Sequence, residues 1–324
     1  MKTEQTSIEW AHFTFNPWRG CTEVSPACDN CYARTLSKRN PKVLGGWGEG
    51  APRVLAGEPY WRSPVKWNAD AQAAGVRYRV FCASLSDWLD WDGVPTAWRV
   101  RLLNLIEQTP HLDWLLLTKR PESWYARLTE ASAESPLAAR WLQGEPPANV
   151  WVGATVEDQT AAHVRIPELL EIPARLRFLS CEPLLGPVNL QRMSLGGDQS
   201  LFRYWPLTGE HIADGMNEPI RHQNSQQLHW IIAGGESGGN ARPSHPVWYR
   251  SLRDQCINAG VPFLFKQHGE WVPAKMLADS CTTDLPDTKR LRGHRFEDGT
   301  LMLRAGKACT GNTLDGRQWL QFPA

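Results

Sequence analysis

The chain has 324 residues, 42% of them hydrophobic and 21% charged, enough to bury a core as one large domain or two small ones and too apolar for a disordered chain. Thirty-five Lys and Arg against thirty-four Asp and Glu leave a formal charge of +1, so no global field draws it to nucleic acid or anionic lipid, and any such binding has to be local. Apolar runs such as Trp114 to Leu117 and Trp230 to Ala233 fall far short of the ~20 residues of a membrane span.

The first segment, Met1-Lys2-Thr3-Glu4-Gln5-Thr6, carries acid and amide where a signal peptide has an apolar core. The expectation is a soluble, cytoplasmic protein whose eight cysteines stay reduced. A strand-like start at Phe13-Thr14-Phe15 then leads into a loop that holds Cys21, Cys28 and Cys31 within eleven residues. Three thiolates can bind a four-iron cluster and leave one iron without a protein ligand, open to a substrate or cofactor. Structural zinc prefers four donors in a closed tetrahedron and needs His12 or a distant cysteine to complete the set. Only Cys28 and Cys31 have pair spacing and no second pair follows, so spacing alone leaves iron-sulfur, zinc and no metal all open.

Further along, short apolar runs alternate with helical patterns, which predicts parallel strands buried on both faces, in a barrel or a doubly wound sheet. The expected strands are Arg79–Ala83, Leu112–Leu117, Val150–Ala154, Arg177–Ser180, His229–Ala233 and Val261–Phe265, six in all. Between them, Thr96–Gln108 is apolar at helical spacing, and Pro246–Ala259 opens on proline and stops at Gly260. Within that helix Cys256 follows Leu252 by four positions and reads as core. Two connections, 40–76 and 188–227, are too long for simple crossovers and read as lids, substrate-binding insertions or excursions without a role. After Trp271 the alternation is lost, which predicts a core domain over 1–270 and a small C-terminal appendage over 271–324.

Every expected strand ends in potential ligands: Ser84-Leu85-Ser86-Asp87, Thr118-Lys119-Arg120, Thr155-Val156-Glu157-Asp158, Cys181-Glu182-Pro183-Leu184, Gly234-Gly235-Glu236-Ser237 and Lys266-Gln267-His268-Gly269-Glu270. In parallel α/β folds the carboxyl ends of the strands carry the active site, so these tips outline one expected mouth; ordinary helix caps and loops are the plainer alternative for any one of them.

The residues also carry a resemblance. Ile8-Glu9-Trp10, Asn16-Pro17, Gly20-Cys21, Val24-Ser25-Pro26, Cys28 and Cys31-Tyr32-Ala33 resemble the opening of a phage-associated family of three-cysteine proteins of formally unknown function, thought to be related to radical S-adenosylmethionine enzymes. Leu117–Pro121, Gly153–Asp158, Phe178–Gly186, Gly234–Ser237, Ala241–Pro243, Phe265–Gln267 and Leu314–Arg317 resemble that family's later blocks in order. The resemblance implies a partial (β/α) barrel with a 4Fe-4S cluster on Cys21, Cys28 and Cys31 and S-adenosyl-L-methionine at the free iron. The spacing here, six residues then two, differs from the three-then-two pattern of the common radical enzymes, and Tyr32 follows the last cysteine.

By position, Ser84, Ser86 and Asp87 are the expected contacts to the methionine amino group, and Lys119 with Arg120 to its carboxylate or a substrate phosphate. Glu157, Glu236 and Lys266 are further expected cofactor contacts, and Gly234-Gly235 leave room for a ribose or adenine or simply make a tight turn. Cys181 and Glu182 are the expected catalytic pair, with a small buried thiol the plainer reading of Cys181. Expected partners are a nucleic-acid or nucleotide substrate, a reductant such as a flavodoxin or ferredoxin, and a further protein. The alternative is a non-catalytic zinc- or cluster-stabilised module that binds DNA or protein. Of the seventeen tryptophans, Trp47, Trp61, Trp67, Trp88 and Trp91 fall in or near loops with Arg53, Arg62 and Lys66 among them, a mixture that suits an unpaired nucleic-acid strand or, more plainly, packing over the sheet edge.

Overall fold

The computed structural model describes residues 6, 8–194, 203–212, 220, 226–281 and 290–324. Seven strands form one parallel sheet: β1 (Phe13–Phe15), β2 (Tyr78–Cys82), β3 (Leu112–Thr118), β4 (Val150–Thr155), β5 (Leu176–Cys181), β6 (Trp230–Gly234) and β7 (Phe263–Gln267). The six expected strands are all present, and the seventh is the three-residue β1, too short for its own period to declare it. β1 pairs with β2 through Phe13 and Val80, β2 with β3 through Val80 and Trp114, and β6 with both β5 and β7. The strands lie side by side in chain order with no reversal. That is the winding of a (β/α) barrel segment; a doubly wound sheet changes direction at a switch point.

Burial follows the residue types. All of β5 and all of β6 are buried, as expected for strands covered on both faces. The helices named below are α1 (Tyr32–Arg39), α2 (Ser63–Ala74), α3 (Thr96–Gln108) and α4 (Pro246–Ala259). α3 buries Val100, Leu102, Leu103, Leu105 and Ile106. α4 begins as its sequence indicates, with Pro246 in the first turn and the His245 ring accepting the Val247 N–H, and it ends at Gly260 with φ +68°.

The chain divides into two compact units, Met1–Ala154 with Glu168–Arg177 and Thr155–Pro167 with Phe178–Ala324. In the first, the 40–76 connection is ordered chain: it supplies the pairing of Val54–Leu55 with Trp18–Arg19 and then α2, the crossover helix between β1 and β2. Of its tryptophans, Trp61 and Trp67 are buried and Trp47 is half-buried, with Trp67 stacked on Phe13 at 4.4 Å. Beyond that connection Trp88 is buried and stacks on Trp141 at 6.2 Å, while Trp91 is 53% exposed. The expected nucleic-acid face over this stretch is therefore mostly core.

In the second unit, Met193–Ser194, Arg203–Trp205 and Glu210–Ile212 form a small antiparallel sheet, and the remainder of the 188–227 insertion lies largely outside the described residues. β8 (Trp271–Pro273), β9 (Gly293–Arg295) and β10 (Leu301–Arg304) form another, with β10 in the centre. The last residues return to the main sheet: Leu320 bridges Leu264, and the Trp230 indole donates to the Gln321 carbonyl at 2.9 Å. Among the described residues no helix is long and apolar enough to cross a membrane. Cys82, Cys181 and Cys256 are buried free thiols, but Cys281 and Cys309 are bonded to each other, contrary to the expectation that every cysteine stays reduced.

Candidate functional site

In the first unit, the loop after β1 is built around close backbone approaches. Gly20 has φ +101°, and a Cβ there would lie 2.7 Å from the Gly46 carbonyl oxygen, so only glycine lets the two strands of loop meet. Cys21 donates its N–H to Gly46 at 3.2 Å and accepts from Gly48 at 2.9 Å. Cys28 closes a single 3-10 turn, Pro26–Cys28, and Cys31 sits at the N-cap of α1, where its carbonyl accepts the Thr35 N–H at 3.1 Å.

Thr22, the residue after Cys21, is clamped from several sides. Its N–H donates to Asp90 at 3.1 Å and its hydroxyl to Asp92 at 3.2 Å; the Arg53 guanidinium donates to that hydroxyl at 2.6 Å, and the Arg120 guanidinium to the Thr22 carbonyl. Behind the clamp lie buried ion pairs. Arg53 meets Asp90 at 3.1 Å and Asp92 at 3.4 Å, and Arg120 meets Asp87 at 2.9 Å. Arg120 also reaches the Cys21 sulfur at 3.9 Å, and its buried Nε–H has no hydrogen-bond partner among the described residues. Burial, then the Asp87 charge, push the Cys21 thiol up to about 12, with Arg120 pulling the other way. Burial also opposes the Arg120 charge, but Asp87, Cys21 and Asp90 outweigh it and raise its pKa. Asp90 is raised by burial against the pull of Arg120 and Arg53.

The tip of β2 ties this loop down. Ala83 adopts φ +69°, a left-handed conformation that costs a non-glycine residue about 1 kcal/mol or more. The turn it starts sends Ser84 Oγ to the Asn16 side chain at 3.2 Å and Ser86 Oγ to the Trp18 carbonyl at 3.1 Å. Asp87 accepts from the Leu89 N–H, the Thr118 hydroxyl, the Lys119 N–H and Arg120, so both its oxygens are occupied. Ser84, Ser86 and Asp87 thus hold the cysteine loop and its arginine. Lys119 gives its N–H to Asp87, while its ammonium takes part in no ion pair among the described residues.

In the second unit, three of the expected residues come together. Lys266 meets Glu182 at 2.9 Å, and Gly234 lies so close that a Cβ would sit 2.7 Å from Glu182 Oε1. A Cβ on Gly235 would collide with the His268 carbonyl, so the two glycines are required by close packing here. Glu236 is bound from two sides by Arg242, at 2.5 and 2.9 Å. Glu157 pairs with Arg165 at 2.6 Å, and its other oxygen is buried without a partner among the described residues. Cys181 is fully buried, and burial raises its thiol pKa. His268 donates its Nε2–H to the Thr313 carbonyl at 2.9 Å, and burial pushes its pKa down to about 4.

Asn16, Thr22, Asp90, Asp92 and Arg165 were not among the expected site residues. The acidic spacing Asp87, Asp90, Asp92 behind a strand tip was the available signal for the clamp. As donors, the cysteine loop suits a multi-iron cluster. The N-terminus of α1, without a side-chain cap, favours an anionic group, and Arg120 Nη1 lies 3.9 Å from the Cys21 sulfur. Among the described residues no three Cys, His, Asp or Glu side chains converge as donors to one ion.

The fold and these clusters define a parallel α/β protein wound in chain order, with a three-cysteine loop behind its first strand. The chain belongs to the family described as protein of unknown function (DUF5131), whose profile matches residues 5–323. No curated protein and no solved structure matches it.

Proposed function

We propose that this protein is a radical S-adenosylmethionine-type iron-sulfur enzyme, of the phage-associated three-cysteine kind its motifs resemble, with a 4Fe-4S cluster on Cys21, Cys28 and Cys31. The observation that carries the reading is the clamp on Thr22, in which Arg53, Arg120, Asp90 and Asp92 fix the loop at its first cysteine by buried charges. Such pairs rarely add net stability over apolar packing, so their use to fix one loop fits a loop that must hold a defined geometry. Cys21, Cys28 and Cys31 would hold the cluster, which would supply the one electron that breaks the sulfonium–C5' bond of S-adenosylmethionine, with methionine leaving, and so open hydrogen-atom abstraction from a substrate.

The chain's own residues then have separable parts. Lys119 offers its ammonium to the methionine carboxylate, and Ser84, Ser86 and Asp87 position the cysteine loop. Glu182, held by Lys266, is the acid-base candidate of the second unit, beside Cys181 and a Gly234-Gly235 turn whose backbone can approach a ribose. The reading entails a one-electron donor such as a flavodoxin or ferredoxin, a nucleic-acid or nucleotide substrate, and a cytoplasmic location that keeps the three thiols reduced. Dithionite and S-adenosylmethionine added to anaerobically reconstituted protein are expected to yield 5'-deoxyadenosine. Cys28→Ala is expected to abolish the product, and Lys119→Ala to raise KM for S-adenosylmethionine with the iron content unchanged. A reconstituted wild type that neither binds nor cleaves S-adenosylmethionine removes the cofactor from the account.

A further inference from the structure

Outside both clusters, the C-terminal sheet presents a second concentration of chemistry. The stretch Arg290-Leu291-Arg292-Gly293-His294-Arg295 carries three arginines and a histidine with no acid among them, in a chain whose formal charge is +1. β9 is one of the two edge strands of its sheet, and all three of its residues are exposed, as are Arg290 and Arg292. Residues two apart on a strand share a face about 6.6 Å apart, so Arg292, His294 and Phe296 line one side.

That side carries a run of rings. The Arg292 guanidinium lies 6.0 Å over the Trp271 ring; His294 stands 6.4 Å from Trp271 and 4.7 Å from Phe296; and Phe296 stands 5.7 Å from Trp248. Of these rings only His294 is exposed; Trp248 and Phe296 are half-buried, with Phe296 packed on the buried Trp271. On the other side Arg295 is tethered to the Gly299 carbonyl at 2.8 Å. Two acids follow, but Asp298 is turned back onto Thr300 and His245, which leaves Glu297 exposed.

We infer that β9 and the turn after it form a binding surface for single-stranded nucleic acid. Cations held in place by a ring and a carbonyl lose little freedom on meeting phosphates, and the exposed His294 ring, backed by Phe296, offers a stacking face that every base can use. Bases are available for such stacking only in an unpaired strand, and an acidic peptide would engage the cations and leave the rings unused. The inference does not rest on the cluster: apoprotein and reconstituted protein should bind alike.

The test is fluorescence anisotropy of a labelled oligothymidylate with the full-length protein between about 50 and about 200 mM salt, with duplex DNA and polyglutamate as competitors. The wild type should bind the oligothymidylate in preference to both, with a log–log salt slope of about −1.4 if Arg292 and Arg295 each neutralise one phosphate. Arg290→Glu/Arg292→Glu/Arg295→Glu should weaken binding at least about tenfold and flatten the slope, and His294→Ala should weaken it about fivefold or more. Arg62→Glu/Lys66→Glu, on exposed cations of the first unit, should leave it unchanged. Should the triple variant fail to fold, Arg292→Gln and Arg295→Gln singly should each reduce the slope by roughly 0.7. Equal binding by these variants, no binding by the wild type, or displacement by polyglutamate as efficient as by the oligonucleotide overturns the inference. Each of those results returns the arginines to guarding an exposed sheet edge.

Discussion

Residues 53–92 and 290–304 are built from similar letters and end in opposite states. Both mix arginine with aromatic rings. In the first, Arg53 is buried against Asp90 and Asp92, and Trp61, Trp67 and Trp88 join the core. In the second, Arg290, Arg292 and Arg295 stay in solvent beside His294. The difference lies in the acids. Asp87, Asp90 and Asp92 give the first stretch counter-charges that make burial of an arginine tolerable, and 290–295 contains none. Arginine among aromatic rings is drawn inward where facing carboxylates can pair with it, as Asp90 and Asp92 pair with Arg53.

The comparison can be broken most sharply at Arg53. Arg53→Gln leaves the buried Asp90 and the half-buried Asp92 without this partner, and chemical denaturation should show a loss of about 3–5 kcal/mol. A loss below about 1 kcal/mol would mean that water reaches the network and that it is not a buried clamp.

His268 sharpens the contrast from a third position, a buried base kept neutral. Its folded pKa is near 4 against an ordinary 6.5. The unfolded chain therefore takes up a proton first as pH falls. Stability should be full above about pH 6.5, decline through the window down to about pH 4, and change no further on its account below that. The decline is of the order of 3 kcal/mol, and His268→Gln should flatten it in denaturation curves taken across that window. An unchanged slope in the variant would show that His268 does not titrate between the states. The smallest effect belongs to the exposed strand. The triple charge reversal at Arg290, Arg292 and Arg295 should move stability by less than about 0.5 kcal/mol even as it removes oligonucleotide binding.

Much of the architecture could be read from residue pattern because its causes are local. The six longer parallel strands are continuous apolar runs, and α4 is bounded by Pro246 and Gly260. α2 escaped because Pro, Gly and Trp suggested a loop, although Pro64, Trp67 and Ala71 have the helical spacing of the face it buries. The cysteines were visible from spacing, whereas the part played by Asp87 was not. Three of its partners, Thr118, Lys119 and Arg120, lie more than thirty residues further along the chain, and only the pairing of β2 with β3 brings them beside it. The Thr22 clamp was hidden for the same reason, since Thr22 and Asp90 are 68 positions apart.

The account turns on what the three-cysteine loop holds. The direct measurement is iron, acid-labile sulfide and zinc per chain after anaerobic purification and reconstitution, for the wild type and for Cys21→Ala, Cys28→Ala and Cys31→Ala. About four irons and four sulfides per wild-type chain, lost from each variant, is the predicted result for a cluster held by three thiolates. One zinc per chain with no iron, or iron retained when the cysteines are replaced, would contradict it.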